Sequence, residues 1–476
     1  MRTNTLVTKI WSYCDTLRDD GLGYGDYLEQ LTYLLFLKMA DEKENEYDLP
    51  KICNWKELLG LEKGELITQY EVILNTLGRS GGMLTKIFKN ARNKIHDSFK
   101  LKKLILLINE ENWTTSDSDI KGDIYESLLQ KNAESSGSGQ YFTPRAVIEA
   151  IVQCIDPKPN ETISDPSCGT GGFFLSALEH ISKNKLTKVQ QQFLKFKTFK
   201  GWEIETSTAR LCLMNLFLHG IGNLKDTPSI EVTDSLKNEV KEKVDIVLAN
   251  PPFGRSSSDI PTMDIKLSEK DGYFLRKDFI TTTSNKQLAF LQHIMTMINE
   301  KGRVAVVLPD NVLFEGGAGE IIRKKLLEEY NLHTILKLPN GIFYAQGVKS
   351  NVLFFDKQKP KTESIWFYDY RTNVRHTPKT NPLKYKDLQN FVNCYKLKDR
   401  NNTTEKWDEK NSIGRWREYK IDEILLRDDT NLDITWLKDD SLIDIENLSE
   451  PEILIDEIIE NIENSLINFK AIRDSF

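Results

Sequence analysis

Val244-Asp245-Ile246-Val247-Leu248-Ala249-Asn250-Pro251-Pro252-Phe253-Gly254 is the stretch from which the rest of this chain is best read. The apolar run from Val244 to Leu248 predicts a buried strand that ends in a polar amide, two prolines, an aromatic ring and a glycine. Two prolines in succession have fixed φ and no N–H, so they make a stiff bend and cannot extend a sheet. The Asn250 side chain and the Pro251 carbonyl are thereby held as acceptors at the carboxyl end of a strand, where open α/β sheets bind ligands. The plain alternative is an ordinary turn that ends a strand.

Strand–helix alternation surrounds this bend. Strands are expected at 162–164, 199–204, 230–232, 304–308, 334–338 and 352–355, and helices after the first two and at 287–299 and 320–329. Such alternation over roughly 200 residues predicts an α/β fold with a doubly wound, mostly parallel sheet across 140–357. Residues 259–278 are polar and poorly periodic, and are expected to form a long mobile loop beside the bend.

Upstream, residues 1–131 read as a helical N-terminal domain. Leu28, Leu31, Leu34, Leu35 and Met39 make one apolar stripe, with Asp26 expected as the N-cap. A second helix is expected from Met83 to Leu107. Its basic face of Lys86, Lys89, Arg92, Lys94, Lys100, Lys102 and Lys103 is either solvated or turned to phosphates. Residues 132–139, Asn-Ala-Glu-Ser-Ser-Gly-Ser-Gly, read as a linker, and Pro144 suits the start of the helix that follows. Residues 358–476 form a C-terminal extension. Trp366–Tyr370 is a candidate further strand, and Ile455, Ile458, Ile462, Leu466 and Phe469 make an apolar stripe on a helix over about 451–472. That helix either packs on its own domain or docks a partner.

Bulk properties narrow the classes. With 39% hydrophobic and 28% charged residues the chain can build proper cores. No apolar run approaches the ~20 residues of a membrane span, and no signal peptide is evident. Six scattered cysteines, Cys14, Cys53, Cys154, Cys168, Cys212 and Cys394, predict free thiols in a reducing cytoplasm and no zinc site. The net charge of −7 is uneven, because residues 421–476 hold 16 acidic and 4 basic side chains. The remainder has a net charge of +5, so the acidic balance does not argue against nucleic acid. Such a weak positive balance implies that a partner supplies much of any phosphate contact.

A second motif follows the first expected strand: Asp165-Pro166-Ser167-Cys168-Gly169-Thr170-Gly171-Gly172-Phe173. Its glycines allow close approach of a ligand to the backbone, and the helix start favours an anionic group. Asp165 ahead of them suits a ligand that also has an ammonium group. Glu203 ends the second strand, the position from which a carboxylate binds ribose hydroxyls. Asp234 ends the third and suits an adenine amino group. Taken singly, each acid reads as a solvated turn residue. It is the order Asp165, Glu203, Asp234, Asn250 after four successive strands that singles them out.

With these residues in place, the chain resembles the S-adenosylmethionine-dependent amino-methyltransferases, whose fourth motif is Asn/Asp/Ser-Pro-Pro-aromatic. Gln140-Tyr141-Phe142-Thr143-Pro144 ahead of the glycine turn is similar to the gamma arrangement of DNA adenine-N6 methyltransferases. The segment around Asp20–Asp41, the GQYFTPR run at 139–145, Leu338–Phe343 and Gly347–Phe355 resemble the modification subunit of type I restriction–modification systems. The resemblance is specific to about residue 357.

It implies a Rossmann-like class I methyltransferase fold and S-adenosylmethionine as cofactor. Gln140, Tyr141, Phe142, Thr143, Pro144, Arg145, Thr170, Gly171, Gly172 and Glu203 would contact that cofactor. Asn250, Pro251, Pro252 and Phe253 would hold the target base. Cys168 departs from the family's usual small residue. The expected partners are double-stranded DNA, a specificity subunit (commonly two modification chains to one) and a restriction subunit. Competing readings are an amino-methyltransferase of RNA or of a glutamine amide, a non-catalytic assembly subunit, and a self-sufficient enzyme with its own recognition domain.

Overall fold

The computed structural model describes residues 10–11, 22–42, 49–111, 113, 125, 127–129, 143–343, 349–358, 360–377 and 380–439. The linker 132–139, Gln140 to Phe142 and the helix expected over 451–472 lie outside them. Eleven strands follow one another in the described residues. They are β1 (Ile163–Asp165), β2 (Phe199–Glu203), β3 (Ser229–Val232), β4 (Val244–Ala249), β5 (Ile260–Thr262), β6 (Tyr273–Leu275), β7 (Ile298–Pro309), β8 (Asn331–Lys337), β9 (Ser350–Asp356), β10 (Ser364–Asp369) and β11 (Trp416–Lys420).

Two compact units divide the chain: residues 1–138 with 168–233, and residues 139–167 with 234–476. In the first unit, buried Arg210 on the helix Thr206–Leu218 pairs with Glu29 and donates to the Lys89 carbonyl at 2.9 Å.

In this first unit the leucine stripe is buried as expected, on the helix Tyr24–Glu42. Asp26 does not cap that helix. It lies in the first turn, and its carboxylate pairs with Lys94 at 2.5 Å. The single helix expected from Met83 to Leu107 is two, Gly82–Phe88 and Ser98–Asn109. Asn90 has φ +58°, Asn93 brackets Ile95 through both of its amide groups, and Asp97 caps the second helix by accepting from Phe99 N–H at 2.7 Å. Polar side chains that bond their own backbone compete with the helix, and periodicity of apolar residues does not register them. The expected basic face is therefore broken up: Lys94 also reaches Glu29 at 3.0 Å, and Lys102 donates to the carbonyls of Leu59 and Leu61. β2 and β3 pair in parallel, Gly201 opposite Ile230.

In the second unit seven strands run in the order β11-β10-β8-β9-β7-β4-β1. β1 with β4, β4 with β7 and β8 with β10 are parallel, whereas β9 is antiparallel to both β7 and β8 and β11 is antiparallel to β10. The sheet is thus more mixed than the alternation predicts. It also continues past residue 357 through β10 and β11, where Trp366 stacks on Trp416 with ring centroids 5.0 Å apart. β4, β7, β8 and β10 end at one edge. Arg371 ties that edge together through a two-pronged bond to Asp310 (2.8 and 2.9 Å) and bonds to the carbonyls of Leu338 and Ser350.

Residues 259–278 are not the irregular loop that the sequence suggests. β5 and β6 pair in parallel around a helical turn, Ile265–Ser268. Fully buried Arg276 anchors the segment through Asp278 and the Leu236 carbonyl. Burial, and then the Arg276 charge, push the pKa of His293 down to about 3, so its ring is neutral beside that guanidinium. Strands of three residues are too short for a period of two to be seen. No described helix is long and apolar enough to cross a membrane.

Candidate active site

Asn250 stands where β4 ends, as the apolar run predicts. Pro251 is buried, and Pro252 and Phe253 are partly exposed. The Asn250 amide nitrogen donates to Thr143 Oγ1 at 2.8 Å, across 107 residues of sequence. Its carbonyl oxygen Oδ1 is buried with no hydrogen-bond partner. A buried amide oxygen left unpaired costs about 1–3 kcal/mol. The backbone carbonyl of Asn250 lies 3.4 Å from Ser167 Oγ, and Asp165 accepts the Ser167 N–H at 2.9 Å. Thr143 and Pro144 precede the helix Arg145–Ile155, which buries Val147, Ile148, Ile151 and Val152, while Arg145 itself is exposed. Asp234 caps the turn Ser235–Lys237, its carboxylate accepting from Leu236 N–H at 2.9 Å.

The glycine turn and Glu203 belong to the first unit. Gly169 and Gly171 have φ of +53° and +85°, and a Cβ on Gly171 would come within 3.0 Å of Cys212 Sγ. Only glycine adopts this backbone readily. The Cys168 N–H donates to the Trp202 carbonyl at 2.9 Å and the Gly169 N–H to Glu203 Oε2 at 3.0 Å, so the turn lies against the end of β2. Burial raises the Glu203 pKa, against the lowering effect of N–H groups from Glu205 and Gly169. Buried Asn215 on the helix Thr206–Leu218 donates to the Thr170 carbonyl at 3.0 Å, and its own Oδ1 is buried and unpaired. Asn215 lies outside the motifs that the sequence singles out. The signal was there, a single amide inside the apolar run Leu211-Cys212-Leu213-Met214-Asn215-Leu216-Phe217-Leu218.

The family described as N-6 DNA methylase matches residues 116–436, and that described as the HsdM N-terminal domain matches residues 6–108. The methylase subunit of the type I restriction enzyme StySPI from Salmonella potsdam is 37% identical over 99% of this chain and 95% of its own length. The EcoKI methylase subunit of Escherichia coli K12 is equally similar, at 37% over the same shares. This chain belongs to the N-6 DNA methylase family. Solved structures agree with that membership. The crystal structure of the EcoKI M protein matches at a TM-score of 0.56 and 33% identity over 99% of this chain and 96% of its own. A modification subunit of a putative type I restriction enzyme from Vibrio vulnificus matches at a TM-score of 0.71 and 25% identity over 93% and 98%. The helical N-terminal part and the α/β part both fall within these matches, so family and fold are shared along nearly the whole chain.

Proposed function

We propose that this chain is the methylating subunit of a type I restriction–modification complex and transfers a methyl group to the N6 amino group of a flipped adenine in DNA. The observation that carries the reading is the Asn250 carboxamide, with its nitrogen engaged by Thr143 and its buried oxygen unpaired. An exocyclic amine is a poor nucleophile because its lone pair is delocalised into the ring. Asn250 Oδ1 and the Pro251 carbonyl would each accept one N–H of that amine. Both bonds strengthen as positive charge grows on nitrogen, which stabilises the transition state more than the ground state. No strong base is needed before attack. Phe253 would offer its face to the base once it leaves the duplex.

S-adenosylmethionine, when bound, supplies an electrophilic methyl group. The chain's residues suit it. Gly169, Thr170, Gly171 and Gly172 would admit its carboxylate end, Asp165 its ammonium, Glu203 its ribose hydroxyls and Asp234 its adenine amine. Gln140, Tyr141, Phe142, Thr143, Pro144 and Arg145 would complete the contacts. Partners follow from the family: a specificity subunit that reads the sequence, a restriction subunit and double-stranded DNA. The acidic C-terminal region is the proposed docking element. An RNA base or a glutamine amide poses the same nitrogen problem, and family membership favours DNA.

Asn250→Ala tests the reading. Methyl transfer by the co-purified complex should vanish while S-adenosylmethionine affinity, read by calorimetry, stays within about threefold, since the truncated group serves the amine. Equal loss of cofactor affinity would sink the assignment.

A further inference from the structure

The Asn-Pro-Pro-Phe bend is held upstream by β4 and Thr143. Downstream it runs into Gly254, whose φ of +117° places it outside the range of other residues although nothing lies within 4 Å of where a Cβ would sit. A bend that must keep an aromatic ring in register needs both ends fixed, and a glycine in open space fixes nothing by its own side chain. The restraint comes from the start of the helix Lys286–Met297. The Lys286 N–H donates to the Gly254 carbonyl at 3.0 Å, Arg255 bridges Asn285, and the Ser256 N–H donates to the Ser284 carbonyl at 2.8 Å.

Gln287 completes this contact. It is 5% exposed. The orientation of its carboxamide is assigned from its neighbours: with the oxygen toward the Gly254 N–H (2.6 Å) and the nitrogen toward the Gly254 carbonyl (3.1 Å), it satisfies both polar groups of one residue, and the reverse orientation satisfies neither. In that orientation the same nitrogen also donates to Asn285 Oδ1. Asn285 in turn donates to Glu315 Oε2 at 2.8 Å, and Asn311 donates to the same oxygen at 3.0 Å. The clamp is therefore itself held by the helix cap and by the turn after β7.

We propose that Gln287 is a positioning residue for methyl transfer, gripping Gly254 from both sides so that Phe253 and Pro252 keep their place against the target base. This inference rests on the proposed role of Asn250 to Phe253. The hydrogen bonds of Gln287 go to Gly254 and Asn285, which makes its role one of positioning. Its effect passes through the backbone of Gly254, and a displacement of about 1 Å at a reacting centre can cost on the order of 100-fold in rate.

The test uses the full chain in complex with its specificity subunit. Gln287→Leu removes both bonds to Gly254, and the one to Asn285, at nearly constant volume. Gln287→Glu keeps the acceptor and sets a second oxygen against the Gly254 carbonyl. We expect kcat for duplex DNA to fall about 10- to 100-fold in both, with KM and Kd for S-adenosylmethionine within twofold of wild type. The fluorescence of 2-aminopurine at the target position, which reports base capture without methyl transfer, should fall as it does in Phe253→Ala. Wild-type kcat in either folded variant overturns the proposal. So does a joint fall of thermal stability, cofactor affinity and kcat, which marks a purely structural role. If Gln287→Leu does not fold, Gln287→Glu decides alone. Asn250→Ala is assayed alongside: activity retained there defeats the catalytic reading itself, whereas its loss with normal Gln287 variants defeats only the clamp.

Discussion

Asn250 has two hydrogen-bonding ends, and the fold uses them differently. The nitrogen is spent on Thr143, so the oxygen is the end left for a substrate N–H. Thr143→Val should therefore lower kcat by about 10-fold, the equivalent of one buried hydrogen bond of roughly 1–2 kcal/mol, while Thr143→Ser stays near wild type. Loss of cofactor affinity with kcat intact would show instead that Thr143 serves only the cofactor. Glu203 gives a pH prediction. Burial raises its pKa, so its carboxylate takes up a proton at higher pH than an ordinary glutamate does. Affinity for S-adenosylmethionine, which needs the ionised acceptor, should decline as pH falls through that raised value, and Glu203→Gln should flatten the profile. For stability the sign is reversed. The raised pKa contributes stability below the unfolded-state value, and that contribution is lost as pH rises through the folded-state value. A pH profile unchanged by Glu203→Gln would remove the residue from the site.

At the scale of elements, the glycine turn and the bend were both legible because each breaks an apolar pattern abruptly. The turn also has a steric requirement that only the packed structure shows, the closeness of Gly171 to Cys212. Gly171→Ala combines positive φ with that contact and should destabilise the chain by about 1–3 kcal/mol in urea unfolding while weakening cofactor binding. Unchanged values on both counts would mean that the turn relaxes freely. What the sequence hid has a common cause. The break between Phe88 and Ser98 is made by asparagine and aspartate bonding their own backbone, and β5 and β6 are three residues each. Thr143 and Asn250 are 107 positions apart, and Gln287 meets Gly254 only after β5 and β6 have intervened. Periodicity records which side chains are apolar. It does not record which amide will meet which carbonyl.

Over the whole molecule, the α/β pattern and the order of motifs were readable because β4 and the end of β7 are long apolar runs and the shorter β1 to β3 each end at a polar or acidic turn. The strand expected at Trp366–Tyr370 is present as β10, whereas the antiparallel insertion of β9 and the edge strand β11 were not readable, since direction and edge position leave no mark in composition. The charge distribution fits a chain that acts on DNA with a partner. A net +5 outside the acidic C-terminal region is slight for a protein that must hold a duplex unaided. The most direct measurement incubates the chain, alone and with its co-expressed specificity subunit, with unmodified genomic DNA and isotope-labelled S-adenosylmethionine, and identifies the labelled nucleoside by mass spectrometry. The account predicts N6-methyladenine at one sequence context with the complex, little with the chain alone, and none with Asn250→Ala. Label in another nucleoside, in RNA or in protein, or N6-methyladenine undiminished by Asn250→Ala, would contradict it.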